Sequence, residues 1–277
     1  MATAEQHFSP APFDAAASRY DETFSSSLIG RAQRGAVWNE LAKTFRTGDR
    51  VLEIGCGTGI DACFLAKHGV RVVACDASSR MIEMTTSRID ESNLRNFVCP
   101  RVLRAEDLAS FPFDAPFDGV FSNFGVLNCV EDLGQIASGP AQLLKPGAKV
   151  LLCWMPPHCA WETIWYLAHG SRDKAFRRLN REGVDARISD GASLRVYYPS
   201  VRSLTRAFAP EFRVQSIKGI GIAVPPSYLE PWARRHPRLF GLCKQFDSWM
   251  ARCPGIRVLG DHVLVQLERS ATTSGSA

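Results

Sequence analysis

Val51-Leu-Glu-Ile-Gly-Cys-Gly-Thr-Gly59 is the stretch on which the reading of this 277-residue chain turns. A short apolar strand carrying one acid, Glu53, runs into a turn that holds Gly55, Cys56, Gly57 and Gly59. A helical pattern follows at once. Glycines in such a turn let a backbone pass close to a ligand. The helix that starts there offers N–H groups with no partner inside the helix. Strand, glycine turn and helix together describe a site for a nucleotide-like ligand.

The glycine spacing separates two ligand classes. The dinucleotide fingerprint G-x-G-x-x-G needs its third glycine one residue later, and Ile60 stands there. No Tyr-x-x-x-Lys pair is present either. The string resembles instead the first motif of class I S-adenosylmethionine-dependent methyltransferases, (V/L)(L/D)(E/D)(I/V)GxGxG. Strand, acid and spacing all agree with that motif.

Composition sets the wider frame. A chain of 277 residues, 45% hydrophobic and 22% charged, suits one large α/β domain with insertions or two small domains. No apolar run approaches the ~18 residues of a membrane span, and the first residues do not read as a signal peptide. Nine cysteines without CxxC pairs or zinc-type spacing read as reduced thiols in a cytoplasmic protein. The net charge is a modest +5. One basic cluster, Arg172, Lys174, Arg177, Arg178 and Arg181, reads as a solvated helix face or as a docking point for an acidic group.

Strand and helix patterns alternate through most of the chain, which predicts a mostly parallel sheet covered on both faces. A helix is expected near 31–46, strands at 50–54, 71–75, about 101–105 and 117–122, and helices over 59–68 and after Ser78 or Ser79. A helix over 131–144 should kink or split at Gly139-Pro140. Lys145-Pro-Gly147 then turns into a strand over 148–154. Beyond it come an aromatic, basic helical insertion, a polar segment ending in Val196-Tyr-Tyr-Pro199, a helix capped by Ser200, and strands near 212–220 and 262–268. The resemblance implies a Rossmann-like, seven-stranded α/β sheet with an antiparallel last strand and helical cap insertions. The expected divisions are a flexible 1–12, a cofactor-binding core 13–155, a cap 156–199, the rest of the core 200–269 with a second cap 222–258, and a disordered 270–277.

The resemblance also assigns cofactor positions. Asp76, at the end of the second strand, would hold the ribose hydroxyls of S-adenosyl-L-methionine, and a carboxylate can accept both. Ala77 and Met81 would flank the adenine. Arg104-Ala-Glu-Asp-Leu108 resembles the family's acidic segment. Asp107 with the Leu108 backbone is the choice for the adenine amino group, and Glu106 stays open. Phe117-Asp-Gly-Val-Phe-Ser-Asn-Phe124 matches the fourth-strand region and places Asn123 and Phe124 beside the methyl donor. Phe13-Asp-Ala-Ala-Ala-Ser-Arg-Tyr-Asp21 is similar to the FDxxAxxYD start of quinone- and biotin-pathway methyltransferases. It puts Tyr20 by the methionine part, with Arg34 or Arg31 available to the cofactor carboxylate.

No motif marks the acceptor. The absence of Asn-Pro-Pro-Tyr, Asp-Pro-Pro-Tyr and Pro-Cys strings argues against nucleic acid. His158, just past the fifth strand, is the first choice of general base. Glu162, His169, Tyr197, Tyr198 and His262 are the others. Trp154, Trp161, Trp165, Tyr197, Tyr198 and Tyr228 are expected to line an apolar acceptor pocket under a lid. No clustered carboxylates suggest a metal. The reading is a small-molecule methyltransferase. A methyltransferase of protein or RNA, or a silent cofactor-binding protein, are the alternatives. Pro225-Pro-Ser-Tyr-Leu-Glu-Pro-Trp232 and the basic helix after it could also form a surface for lipid or a carrier protein.

Overall fold

In the computed structural model, residues 11, 13–114, 116–189 and 192–271 are described. The expectations for 1–10, 12 and 272–277 fall outside them. Nine strands form among the described residues: β1 (Arg50–Ile54), β2 (Arg71–Asp76), β3 (Val98–Val102), β4 (Phe117–Ser122), β5 (Leu144–Trp154), β6 (Val184–Ser189), β7 (Ala192–Val196), β8 (Phe212–Ile220) and β9 (His262–Arg269). Seven make one sheet in the order β3-β2-β1-β4-β5-β9-β8. The first five in that order are parallel. β9 runs antiparallel between β5 and β8.

The helices are α1 (Ala17–Tyr20), α2 (Leu28–Thr44), α3 (Ile60–Lys67), α4 (Ser79–Glu91), α5 (Leu133–Leu143), α6 (Ala160–Ala168), α7 (Arg172–Phe176), α8 (Val201–Phe208), α9 (Glu230–Arg235) and α10 (Pro237–Met250). The strand side chains alternate faces. Leu52, Ile54, Val120, Val150, Leu152 and Trp154 pack on one side with Ile136 of α5 and with Leu204 and Phe208 of α8. Val51, Phe121, Leu151 and Cys153 pack on the other side with Val37 and Leu41 of α2 and with Leu65 of α3. A third cluster joins Ile29 of α2 to Val224, Leu229, Ala233 and Phe240, with Trp161, Trp165 and Trp232 against it.

Four expectations are corrected. Pro100 does not precede the third strand but lies inside it, opposite Ala74. β3 is an outer strand, where a residue without an N–H is tolerated. α5 runs through Gly139-Pro140 without splitting. The Cβ-free Gly139 lies close against Leu108, and the helix ends one turn later with Leu144 N–H donating to the Pro140 carbonyl. The fifth strand starts at Leu144, although its regular pairing to β4 resumes only at Lys149, past an irregularity. The first insertion is not all helical, because β6 and β7 close it as an antiparallel hairpin. At the other border, β8 carries a bulge between Val214 and Ser216, and Gly219 N–H donates to the Ala251 carbonyl at 2.8 Å.

Candidate active site

The parallel strands deliver their carboxyl ends to one edge of the sheet, where ligands bind in such folds. A cavity of about 440 Å³ opens there, lined by the turn after β1, the end of β2, the loop after β3 and the exit of β4. That volume lies within the roughly 300–1,000 Å³ range of small-ligand sites.

The glycine turn builds the floor. Gly57 has φ +53°, and a Cβ there would meet nothing within 4 Å because it would project into the cavity. Gly57 is therefore a cradle position. Gly59, with φ +75°, does a different job: a Cβ would come within 2.7 Å of the Thr85 side chain, so it brings α4 close and does not line the cavity. Gly55 and Cys56 line it.

Asp76 faces the cavity from the end of β2 with Ala77 and Met81 beside it. Its carboxylate accepts the Gly57 N–H at 2.8 Å and the Ser78 N–H at 2.9 Å. Each oxygen keeps further acceptor capacity. Burial holds this carboxyl above its usual range. Asp107 is exposed and does not line the cavity, and Leu108 is core. Glu106 lines it instead. The short 3₁₀ turn Ala105–Asp107 decides which of two adjacent acids faces inward.

Beyond β4, Asn123 and Phe124 both line the cavity. Phe124 takes the left-handed conformation, φ +49°, unusual for a bulky residue and a mark of functional sites. Asn123 donates to Asp61 at 2.9 Å, and its Oδ1 is buried with no hydrogen-bond partner. No motif in the sequence points to Asp61, yet it organises this wall. It accepts from Arg34 at 2.7 Å, Trp38 at 2.6 Å and Asn123. Its position in the first turn of α3, where an acid suits the helix dipole, was the available signal. Arg34 lines the cavity and pairs with Asp61 through Nη1, while its Nε is buried without a hydrogen-bond partner; Arg31 is exposed.

Glu53 is 1% exposed, and its Oε2 has no partner. Burial, then the charge of Asp61, push its carboxyl well above the ordinary value of 4.5. The folded state thus keeps a proton that the unfolded chain loses as pH rises. Stability contributed by that proton is full below 4.5 and drains upward through the folded value. With no ligand present, stability of the natural protein relative to Glu53→Gln should fall as pH rises above about 4.5, by up to about 1.4 kcal/mol per pH unit. Denaturant titrations at each pH would show it. Parallel pH curves would remove Glu53 from this role.

The N-terminal segment closes over the cavity. Tyr20 lines it, and burial pushes the Tyr20 hydroxyl up to about 12. A π turn over Asp21–Ser25 follows. Asp21 accepts the Thr58 hydroxyl of the glycine turn at 2.7 Å and pairs with Arg88. Asp14 accepts the Ser78 hydroxyl at 2.5 Å. Both acids of the Phe13–Asp21 motif are therefore clamps onto the cavity rim. They lay inside a quoted motif, but nothing in their spacing named their partners.

A second chamber of about 290 Å³ shares Tyr20, Phe124, Met155 and Arg177 with the first. Phe24, Tyr228, Glu162, Arg178, Asp261 and His262 complete it. Glu162, also a base candidate, is held by Arg177 at 2.6 Å and Arg178 at 2.8 Å. His262 is buried with Nδ1 unpartnered, 3.5 Å from Asp261, and packs edge-on against Phe124. Burial holds its ring below the ordinary histidine value.

The remaining aromatic expectations divide. Tyr198 lines the first chamber and Tyr228 the second. Trp154 is core and donates to the Pro199 carbonyl. Trp161 donates to the Ala223 carbonyl and leans on Trp232, while Trp165 lies against His169. Those two tryptophans staple one insertion to the other, because their helical face meets the apolar cluster and not the cavity. Tyr197 lines neither chamber and is tied by its backbone N–H to Asn128. His158 is exposed and lines neither chamber, so it is not placed to serve as base. His169 is exposed and lines neither as well.

Comparison with known proteins agrees with this geometry. Residues 52–150 match the methyltransferase domain family. Demethylmenaquinone methyltransferase of Clavibacter sepedonicus is 33% identical over 144 residues, 52% of this chain and 56% of that protein. The chain thus matches a little over half the length of that curated relative. Among solved structures, a Listeria monocytogenes protein described as an S-adenosylmethionine dependent methyltransferase aligns with TM-score 0.60 at 18% identity. The alignment covers 84% of this chain and 96% of that one. Geranyl diphosphate C-methyltransferase from Streptomyces coelicolor, in complex with Mg2+, geranyl-S-thiolodiphosphate and S-adenosyl-L-homocysteine, aligns with TM-score 0.55 at 19% identity. There the coverage is 85% and 76%. With both structures the chain shares its fold, a seven-stranded, mostly parallel sheet whose β9 runs antiparallel.

Proposed function

We propose that this methyltransferase domain uses S-adenosyl-L-methionine to methylate a small, largely apolar acceptor. The observation that carries the reading is the convergence of Gly57, Asp76, Glu106 and Asn123 on one cavity at the carboxyl edge of the sheet. The cradle at Gly57 and the orphan Asn123 Oδ1 both fit that cofactor. When bound, the cofactor supplies a methyl group on a sulfonium, open to in-line displacement.

The residues of the chain would do the rest. Asp76 would hold the ribose, Glu106 the adenine end, and Asn123 with the glycine turn the amino-acid end. Tyr20 and Phe124 form the wall between the chambers, so the second chamber would receive the acceptor. Holding both reactants fixed across that wall is the main contribution such a site makes. The aromatic side chains of the second chamber suit a ring-bearing acceptor, and the name of the demethylmenaquinone relatives supports a quinone-type one. His262, neutral and buried beside Asp261, is the group placed to take a proton from an acceptor hydroxyl.

Calorimetry should show binding of S-adenosylmethionine and none of NADH. Label from the methyl group should pass into low-mass, organic-extractable quinols. His262→Gln should leave cofactor affinity unchanged and slow transfer to any acceptor that must lose a proton. NADH binding without S-adenosylmethionine binding would end the reading, and label found only in protein or RNA would replace the acceptor class.

A further inference from the structure

Helix α10 wears apolar residues on its outside. Leu239, Leu242, Phe246 and Trp249 follow one another at helical spacing, and they are 51%, 57%, 55% and 72% exposed. The rings of Phe246 and Trp249 meet edge-on at 5.7 Å. A different face of the same helix already serves the core. Phe240 is buried there, and Asp247 accepts backbone N–H groups of Gly221 and Ala223. The exposed stripe is therefore surplus to folding.

Charge around the stripe has one sign. Residues 230–258 carry Arg234, Arg235, Arg238, Lys244, Arg252 and Arg257 against two acids, Glu230 and Asp247. Both acids turn inward. Asp247 is buried as above, and Glu230 accepts the N–H groups of Leu28 and Ile29 at the start of α2 and pairs with Arg234. Arg235, Arg238, Lys244 and Arg252 stay exposed.

We propose that α10 seats the protein on an anionic bilayer surface, with the apolar stripe at the headgroup–acyl boundary and the arginines against lipid phosphates. A helix of 14 residues is about 21 Å long, too short to cross a bilayer. Among the described residues, no helix is long and apolar enough to span one. A second copy fits less well, because a two-fold contact through this stripe would set the same cations against each other.

The test is flotation of the full chain with vesicles, and it needs neither cofactor nor acceptor. Binding is expected to phosphatidylcholine–phosphatidylglycerol vesicles, weakly to phosphatidylcholine alone, and to fall as salt rises. Phe246→Ser with Trp249→Ser should lower binding at least tenfold with an unchanged thermal melt, since both side chains are exposed. Arg235→Glu with Arg238→Glu should remove the preference for the anionic lipid. No flotation at low salt, or equal flotation of the Phe246/Trp249 variant, would overturn the proposal. So would a concentration-dependent dimer abolished by those serines in a protein that ignores vesicles.

Discussion

Arg178→Leu should destabilise the fold by about 3–5 kcal/mol, the range for stranding one side of a buried ion pair. Arg178 donates from Nε and Nη2 to Glu162 at 3.0 and 2.8 Å, from Nη2 to the Asp261 carboxylate at 2.8 Å, and from Nη1 to the Asp261 carbonyl at 3.0 Å. Both acids are buried. With leucine in place, Glu162 keeps Arg177, and Asp261 keeps Gln33 and the neighbouring His262. Neither remaining set restores the lost charge at Asp261. The stranded carboxyls can relieve themselves by taking a proton, so the deficit should shrink as pH falls. Chemical denaturation of variant and natural protein at two pH values reads both effects. A loss under about 1 kcal/mol would mean that the chamber is wet enough to solvate the acids.

Asp76→Ala should weaken S-adenosylmethionine binding at least tenfold. Two ribose hydroxyls on one carboxylate are charge-assisted bonds, each worth roughly 1.5–3 kcal/mol. Losing the carboxylate also frees the Gly57 and Ser78 N–H groups that it holds, which loosens the cradle itself. Asp76→Asn should be nearly as damaging, because its NH₂ would have to face one of those N–H donors. Calorimetry on the folded variants measures this. Unchanged affinity would place the ribose elsewhere.

What could be read from the sequence was local and periodic. The glycine turn, Asp76 at the end of β2 and the caps at Ser78 and Ser200 are set by neighbours a few residues away. Residue choice between adjacent positions was less legible. Whether Glu106 or Asp107 faces the cavity depends on the winding of one 3₁₀ turn. Long-range pairing was not legible at all. Aromatic content could not separate Tyr198, which reaches the cavity, from Trp161 and Trp165, which join the two insertions. Along β6 and β7 the side chains alternate, but over so few residues that the pattern is weaker than the helical spacing of the basic cluster before them. Pro100 shows the reverse problem: proline argues against a strand until its place on the outside of the sheet is known.

That outer proline has a counterpart in the bulge and the Ala251 contact on β8. Between them, neither border of the sheet presents an unbroken ladder of donors and acceptors to a stray chain. Growth of this sheet by strand addition, the first step toward amyloid-like polymer, is hindered at both ends. Backbone-templated aggregation through this sheet should therefore begin only after the sheet itself has come apart.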